Sequence, residues 1–169
     1  MSEATPLYEE ALTEAKAATT FNDLLRGSRE VLKVAEPGGL SNGIKVKDYK
    51  SVLMVGTKSM QNTAECQSPD SDDAYRTAIT FYDVEPDARV RASQNPCRVT
   101  CSCRSYYFWF AYPNFLADAH LGPKPKEYKP VQNPKRAPGP PKNPNNIPGA
   151  CKHLIAMVQA MIQNGVIEK

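Results

Sequence analysis

The residues best suited to chemistry are three cysteines and a histidine, arranged as Cys101-Ser102-Cys103 and, far downstream, Cys151-Lys152-His153. Three thiolates and one imidazole form the ligand set of a closed tetrahedral zinc site. A C-x-C or C-x-H pair puts two donors within reach of one ion, so folding has only to bring the pairs together. A shell filled by four protein ligands leaves no position for a substrate or an activated water. That points to a structural Zn2+ and away from a catalytic one. The competing expectation is that the cysteines are core or disulfide residues and His153 an ordinary first-turn histidine.

The other reactive groups narrow the function classes. Only His120 and His153 offer imidazole, so general acid–base options are few. No P-loop, nucleophile elbow or H-E-x-x-H occurs. A thiol-redox role for Cys101 and Cys103 is conceivable, although C-x-x-C is the commoner redox spacing. The expectation is therefore neither an enzyme nor a binder of small-molecule substrates. Asp70, Asp72 and Asp73 invite calcium, but the segment lacks the glycine and terminal glutamate of an EF-hand loop and reads as solvated. Five cysteines is an odd count. Cys66 and Cys97 read as buried small hydrophobes, with a later disulfide as the alternative. Cys97 and His120 lie near enough in sequence to compete for the metal, though a four-ligand shell needs neither.

At 169 residues, 41% hydrophobic and 23% charged, the chain is long enough to bury a globular core. No apolar run approaches the ~20 residues that span a bilayer, so no membrane partner is expected. The N-terminus lacks the basic and apolar blocks of a signal peptide, which makes synthesis in a reducing cytosol the expectation. There, cysteine pairs more often mean metal than disulfide.

The elements that must position the cluster follow from pattern. Pro6 at a first helical position and Leu7, Ala11, Leu12 and Ala15 predict a helix over 5–18. Residues 21–34 are ambiguous between helix and strand, and Glu36-Pro37-Gly38-Gly39 stops whatever precedes it. Strands are expected at 44–47, 51–55, 78–84 and 89–92, with 62–73 a polar loop. Arg98-Val99-Thr100 leads straight into Cys101, which puts the first ligand pair at the end of a hairpin. Leu154, Met157, Val158, Met161 and Ile162 predict a C-terminal helix that Gly165 terminates. The fold class is α+β: a small antiparallel sheet over about 44–102 packed on the C-terminal helix, with an N-terminal helix and a zinc knuckle carrying a long inserted loop. Residues 1–36 form the N-terminal helical segment and 37–169 the zinc-binding domain.

The inserted loop departs most from ordinary composition. Tyr106-Tyr107-Phe108-Trp109-Phe110-Ala111-Tyr112 is almost wholly aromatic, and 123–148 holds nine of the fifteen prolines. Lys124, Lys126, Lys129, Lys135, Arg136 and Lys142 there face one acid, Glu127. The stretch 123–148 predicts an extended, polyproline-like excursion, part of an extended arm over 105–148. Its candidate partner-binding residues are Tyr106, Tyr107, Trp109, Tyr112, Lys124, Lys126, Lys135, Arg136 and Lys142. Aromatics beside a basic extended strand can anchor in a partner's groove.

Hairpin, Cys-x-Cys, loop, Cys-x-His and helix in that order resemble the SWIM-type zinc finger. The matching positions are Cys101, Cys103, Cys151 and His153, followed by the apolar Leu154 and Ile155. The departure is the loop 104–150, longer than the family's usual spacing. The blocks 105–115 and 140–153 are similar to small SWIM-like virion proteins of tailed bacteriophages. That resemblance implies a virion component of the neck, tail or baseplate, made in the host cytoplasm, with other protein subunits in multiple copies as its partners. The SWIM family also implies nucleic-acid binding, for which basic residues interleaved with aromatics are suited. Against that alternative, the pI of 8.6 is modest and the lysines are spread along a loop.

Overall fold

Thr20 opens the first element with a capping box. Its hydroxyl accepts from the Asp23 N–H, and the Asp23 carboxylate accepts from the Thr20 N–H (2.9 Å). Helix α1 (Phe21–Leu32) then buries Phe21, Leu24, Gly27 and Ser28, the i, i+3, i+6 and i+7 face, and ends at Lys33 in the left-handed conformation. The ambiguous stretch 21–34 is thus helix as far as Leu32. The computed structural model of the chain describes residues 19–129 and 142–169. The helix expected over 5–18 and the middle of the proline-rich stretch, 130–141, lie outside them.

A short 3-10 turn (Pro37–Ser41) leads into four strands: β1 (Lys45–Met54), β2 (Ser59–Gln67), β3 (Ala74–Phe81) and β4 (Cys97–Cys101). They form one antiparallel sheet in the order β1-β2-β3-β4. Two expected strands merge in β1, where a bulge between Lys47 and Lys50 absorbs the polar interruption. The expected loop at 62–73 is corrected: β2 runs to Gln67, and only the turn 68–73 remains of it. Met60, Asn62, Ala64 and Cys66 point inward there, alternating with Gln61, Thr63 and Glu65. The buried Asn62 disguises this alternation; its amide donates to the Met60 and Ile79 carbonyls, and its oxygen accepts from the Tyr49 hydroxyl. The expected strand at 89–92 is also corrected, since only Arg91 makes an isolated bridge, to Glu168.

Directly after β4, over Arg104–Leu116, the chain is helical and not extended. Three consecutive helical segments, Arg104–Tyr106, a π-helical Tyr107–Ala111 and Tyr112–Leu116, together form α2. The last element is α3 (Lys152–Gln163), with Gly165 at φ 70 just beyond it. His153, Leu154, Ile155, Ala156, Met157, Val158 and Met161 of α3 are buried. One apolar core joins α3 to the inner sheet residues Ile79, Phe81 and Val99 and to Phe21 and Leu24 of α1. Helix α1 thus shares the core of the domain expected to begin at residue 37. Among the described residues no helix is long and apolar enough to cross a membrane.

Candidate metal centre

Strand β4 delivers Cys101 in register with Thr77 of β3. The next residue is pinned to the same strand: Ser102 N–H donates to the Arg76 carbonyl (3.0 Å), and Arg76 N–H donates to Ser102 Oγ (2.9 Å). With Ser102 held outward, Cys101 and Cys103 both turn into the protein, where they are buried. Cys103 is also the N-cap of α2, and its sulfur accepts from the Tyr106 N–H at 3.3 Å. Cys151 occupies the equivalent place on α3, the N-cap residue, and His153 follows in the first turn.

The segment entering α3 is clamped from both sides. The Asn114 side chain accepts from Gly149 N–H (2.8 Å) and donates to the Gly149 carbonyl (2.9 Å). Ser28 of α1 accepts from Ala150 N–H at 2.7 Å. Both side chains are buried. Close approach explains two glycines here. A Cβ on Gly149 would sit 2.4 Å from the Phe110 ring, and one on Gly27 would sit 1.7 Å from the Pro148 carbonyl oxygen.

Cys101, Cys103, Cys151 and His153 converge: their sulfurs and ring nitrogen all lie within 4.8 Å of one another, and all four residues are buried. The Cys101 sulfur is 3.9 Å from His153 Nδ1. Around a tetrahedral ion with Zn–S near 2.3 Å and Zn–N near 2.0 Å, ligand atoms stand about 3.5–3.8 Å apart. The cluster is thus preformed to within small side-chain adjustments and can bind a metal ion. On the far side of the ring, His153 Nε2 lies 3.0 Å from Ser68 Oγ, and Tyr75 packs on the ring at 4.8 Å. A metal at Nδ1 leaves the ring proton on Nε2, where Ser68 accepts it.

The sulfurs divide their protons unequally. Hydrogen bonds from Cys101 first, then from Cys151, pull the Cys103 thiol far below its ordinary value. The shared bond pushes Cys101 up correspondingly. Burial first, then the same neighbours, pushes Cys151 well up. A divalent cation at this place would favour the thiolate form of all three.

The other candidates stay apart. None of the five cysteines is in a disulfide. Cys97 is buried among apolar groups, which pushes its thiol up to about 12. Cys66, also buried, contacts Thr77 Oγ1 and the His153 carbonyl. His120 is engaged with the Tyr106 hydroxyl at 2.9 Å.

The partner-binding candidates divide. Tyr106 is corrected: it is 1% exposed, its hydroxyl donates to the Val99 carbonyl (2.8 Å), and it belongs to the core. The run of aromatics has no readable period, so nothing in the sequence separates this inward ring from its neighbours. Tyr107, Lys124, Lys126 and Lys142 are exposed, and Trp109 and Tyr112 half-buried. Lys135 and Arg136 lie outside the described residues. Both described ends of the expected arm lie on α2: Lys142 sits over the Trp109 ring, Lys124 over Phe115, and Tyr128 meets Phe108 edge-on. Asn143 donates to the Trp109 carbonyl at 2.9 Å.

No protein family, no curated protein and no solved structure matches this chain.

Proposed function

We propose that this chain is a structural interaction protein in which Cys101, Cys103, Cys151 and His153 hold one Zn2+ at the base of a segment that engages neighbouring subunits. The observation that carries this reading is the convergence of four buried ligand atoms, within 4.8 Å, where the inserted segment leaves the sheet and rejoins α3. Three sulfurs and one nitrogen in a closed, buried shell suit Zn2+ over oxygen-seeking cations. A strand end feeding Cys-x-Cys and a helix start carrying Cys-x-His agree with a SWIM-type knuckle. The resemblance supplies the assembly: a tailed-bacteriophage virion, in its neck, tail or baseplate. The closed shell also supports a non-enzymatic role.

Docking on protein is favoured over nucleic acid by one set of contacts. The Lys142 and Lys124 ammonium groups lie 5.5 and 5.6 Å from the centres of the Trp109 and Phe115 rings. Those contacts engage two of the cations and one face of each of two rings that a single strand could use for phosphate binding and stacking.

Elemental mass spectrometry on protein purified without chelator is expected to find one zinc per chain, lost in Cys103→Ser. A metal-free preparation with an unchanged melting temperature overturns the zinc reading. Cross-linking of assemblies isolated from the producing cells is expected to join Lys124, Lys126 and Lys142 to other chains. Cross-links confined to one chain, or a salt-sensitive gel shift with single-stranded DNA, overturn the protein-partner reading.

A further inference from the structure

The two edges of the sheet differ. At the β4 edge, Val99 N–H donates to the Ala119 carbonyl and Leu121 N–H donates to the Val99 carbonyl, both at 2.9 Å, so residues 119–121 close it. Beyond β1 no further strand follows among the described residues. Every β1 residue except Val46 is exposed. Open edges are ordinarily guarded by charges and bulges, because their unpaired backbone groups are templates for another strand. Residues 45–50 of β1 carry such guards in Lys45, Lys47, Lys50, the bulge before Lys50, and Asp48 at φ 52. Residues 51–54 have none. They expose Val52 (51%), Leu53 (43%) and Met54 (40%), continued by Val55 (63%) at the hairpin tip.

We propose that β1 pairs antiparallel with β1 of a second copy of this chain, across a two-fold axis at Val52, joining two sheets into one. The longer regular run of the ladder is Lys50 to Met54, between the bulge and the strand end, and Val52 is its middle residue. In that register Ser51 faces the partner's Leu53 on one side of the sheet, and Lys50 faces the partner's Met54 on the other. A second copy meets no like charge in this register, and the placement of charge sets its direction. Antiparallel pairing lays each Lys50 stem on a thioether and separates the two ammonium-bearing residues by about 13 Å along the strands. That exceeds the Debye length of ~8 Å at physiological ionic strength. Parallel pairing would instead set three lysines beside their own counterparts. Backbone hydrogen bonds along a short ladder bury less than a standard interface, so the dimer forms in a concentration-dependent way. Pairing and metal binding use different residues, so either reading can fail without the other.

Sedimentation velocity of the full chain, from low to high micromolar concentration, tests this. The expected result is a shift from monomer to dimer. Val52→Glu and Leu53→Lys, which change opposite faces of an exposed strand, are each expected to hold the protein monomeric over the whole range while leaving melting temperature and metal content unchanged. A wild-type chain that stays monomeric, a dimer that survives both substitutions, or open-ended growth in place of a dimer overturns the proposal.

Discussion

A histidine that ligates through Nδ1 must keep its proton on Nε2, and here the acceptor for that proton is the buried Ser68, 3.0 Å away. Ser68 touches no sulfur in this arrangement; it fixes which nitrogen faces them. Removing such an outer partner typically weakens metal binding about 10- to 100-fold. Ser68→Ala is therefore expected to lose zinc to a chromophoric chelator at correspondingly lower chelator concentration while keeping one site per chain. Unchanged affinity would mean that the ring is held by Tyr75 alone. The cysteines make a second comparison. Burial opposes the Cys97 thiolate and pushes its thiol up to about 12, and its sulfur lies outside the cluster that holds the Cys151 sulfur. Cys97→Ser should leave zinc stoichiometry at its wild-type value. Cys151→Ser should abolish it and cost several kcal/mol of stability, since the binding free energy of a structural zinc is folding free energy. Metal analysis and thermal melts of the two variants separate a ligand from a buried thiol.

The inserted segment depends on two close backbone approaches. Gly27 lies inside α1, where replacing glycine by alanine ordinarily stabilises a helix by about 0.5–1 kcal/mol. Here the added methyl would meet the Pro148 carbonyl oxygen at 1.7 Å, so the sign reverses. Gly27→Ala is expected to destabilise by about 1–3 kcal/mol, the usual cost of overpacking, in a denaturant melt. A neutral or stabilising result would mean that the segment entering α3 does not lie on α1. Local pattern made some elements legible in the sequence and left others hidden. Helix α3 was readable because its apolar residues keep helical spacing up to a terminal glycine, and the hairpin end was readable because β-branched residues run into Cys101. Strand β2 was hidden by Asn62, a polar residue at a core position, made acceptable by three side-chain hydrogen bonds that no local signal encodes. The four ligands could be read as two short pairs. Ser68, Ser28 and Asn114 could not, because each matters only through a residue far along the chain: His153, Ala150 and Gly149.

At the scale of the molecule, the cluster brings three elements to one point: the end of β4, the residue before α2, and the start of α3. Strands β1 and β2 supply no ligand; they touch the site only through Cys66 and through Ser68, just beyond β2. Stability in a single domain is unevenly distributed, and segments held by one constraint open before segments held by many. A bound zinc contributes its binding free energy to whatever must open to release it. Chelation should therefore not act evenly. Hydrogen exchange followed by mass spectrometry is expected to show that chelator speeds exchange in 101–116 and 149–157 together, the two stretches that share the ion. The hairpin 45–67, held by its own ladder, should lose protection later and less. Equal loss throughout would mean that the sheet has no stability apart from the metal, so that the domain opens only as a unit. Exchange that ignores chelator would mean that apolar packing around Tyr106, Phe110 and Leu154 holds the segment in place without an ion, and the four converging side chains would then be four buried core residues.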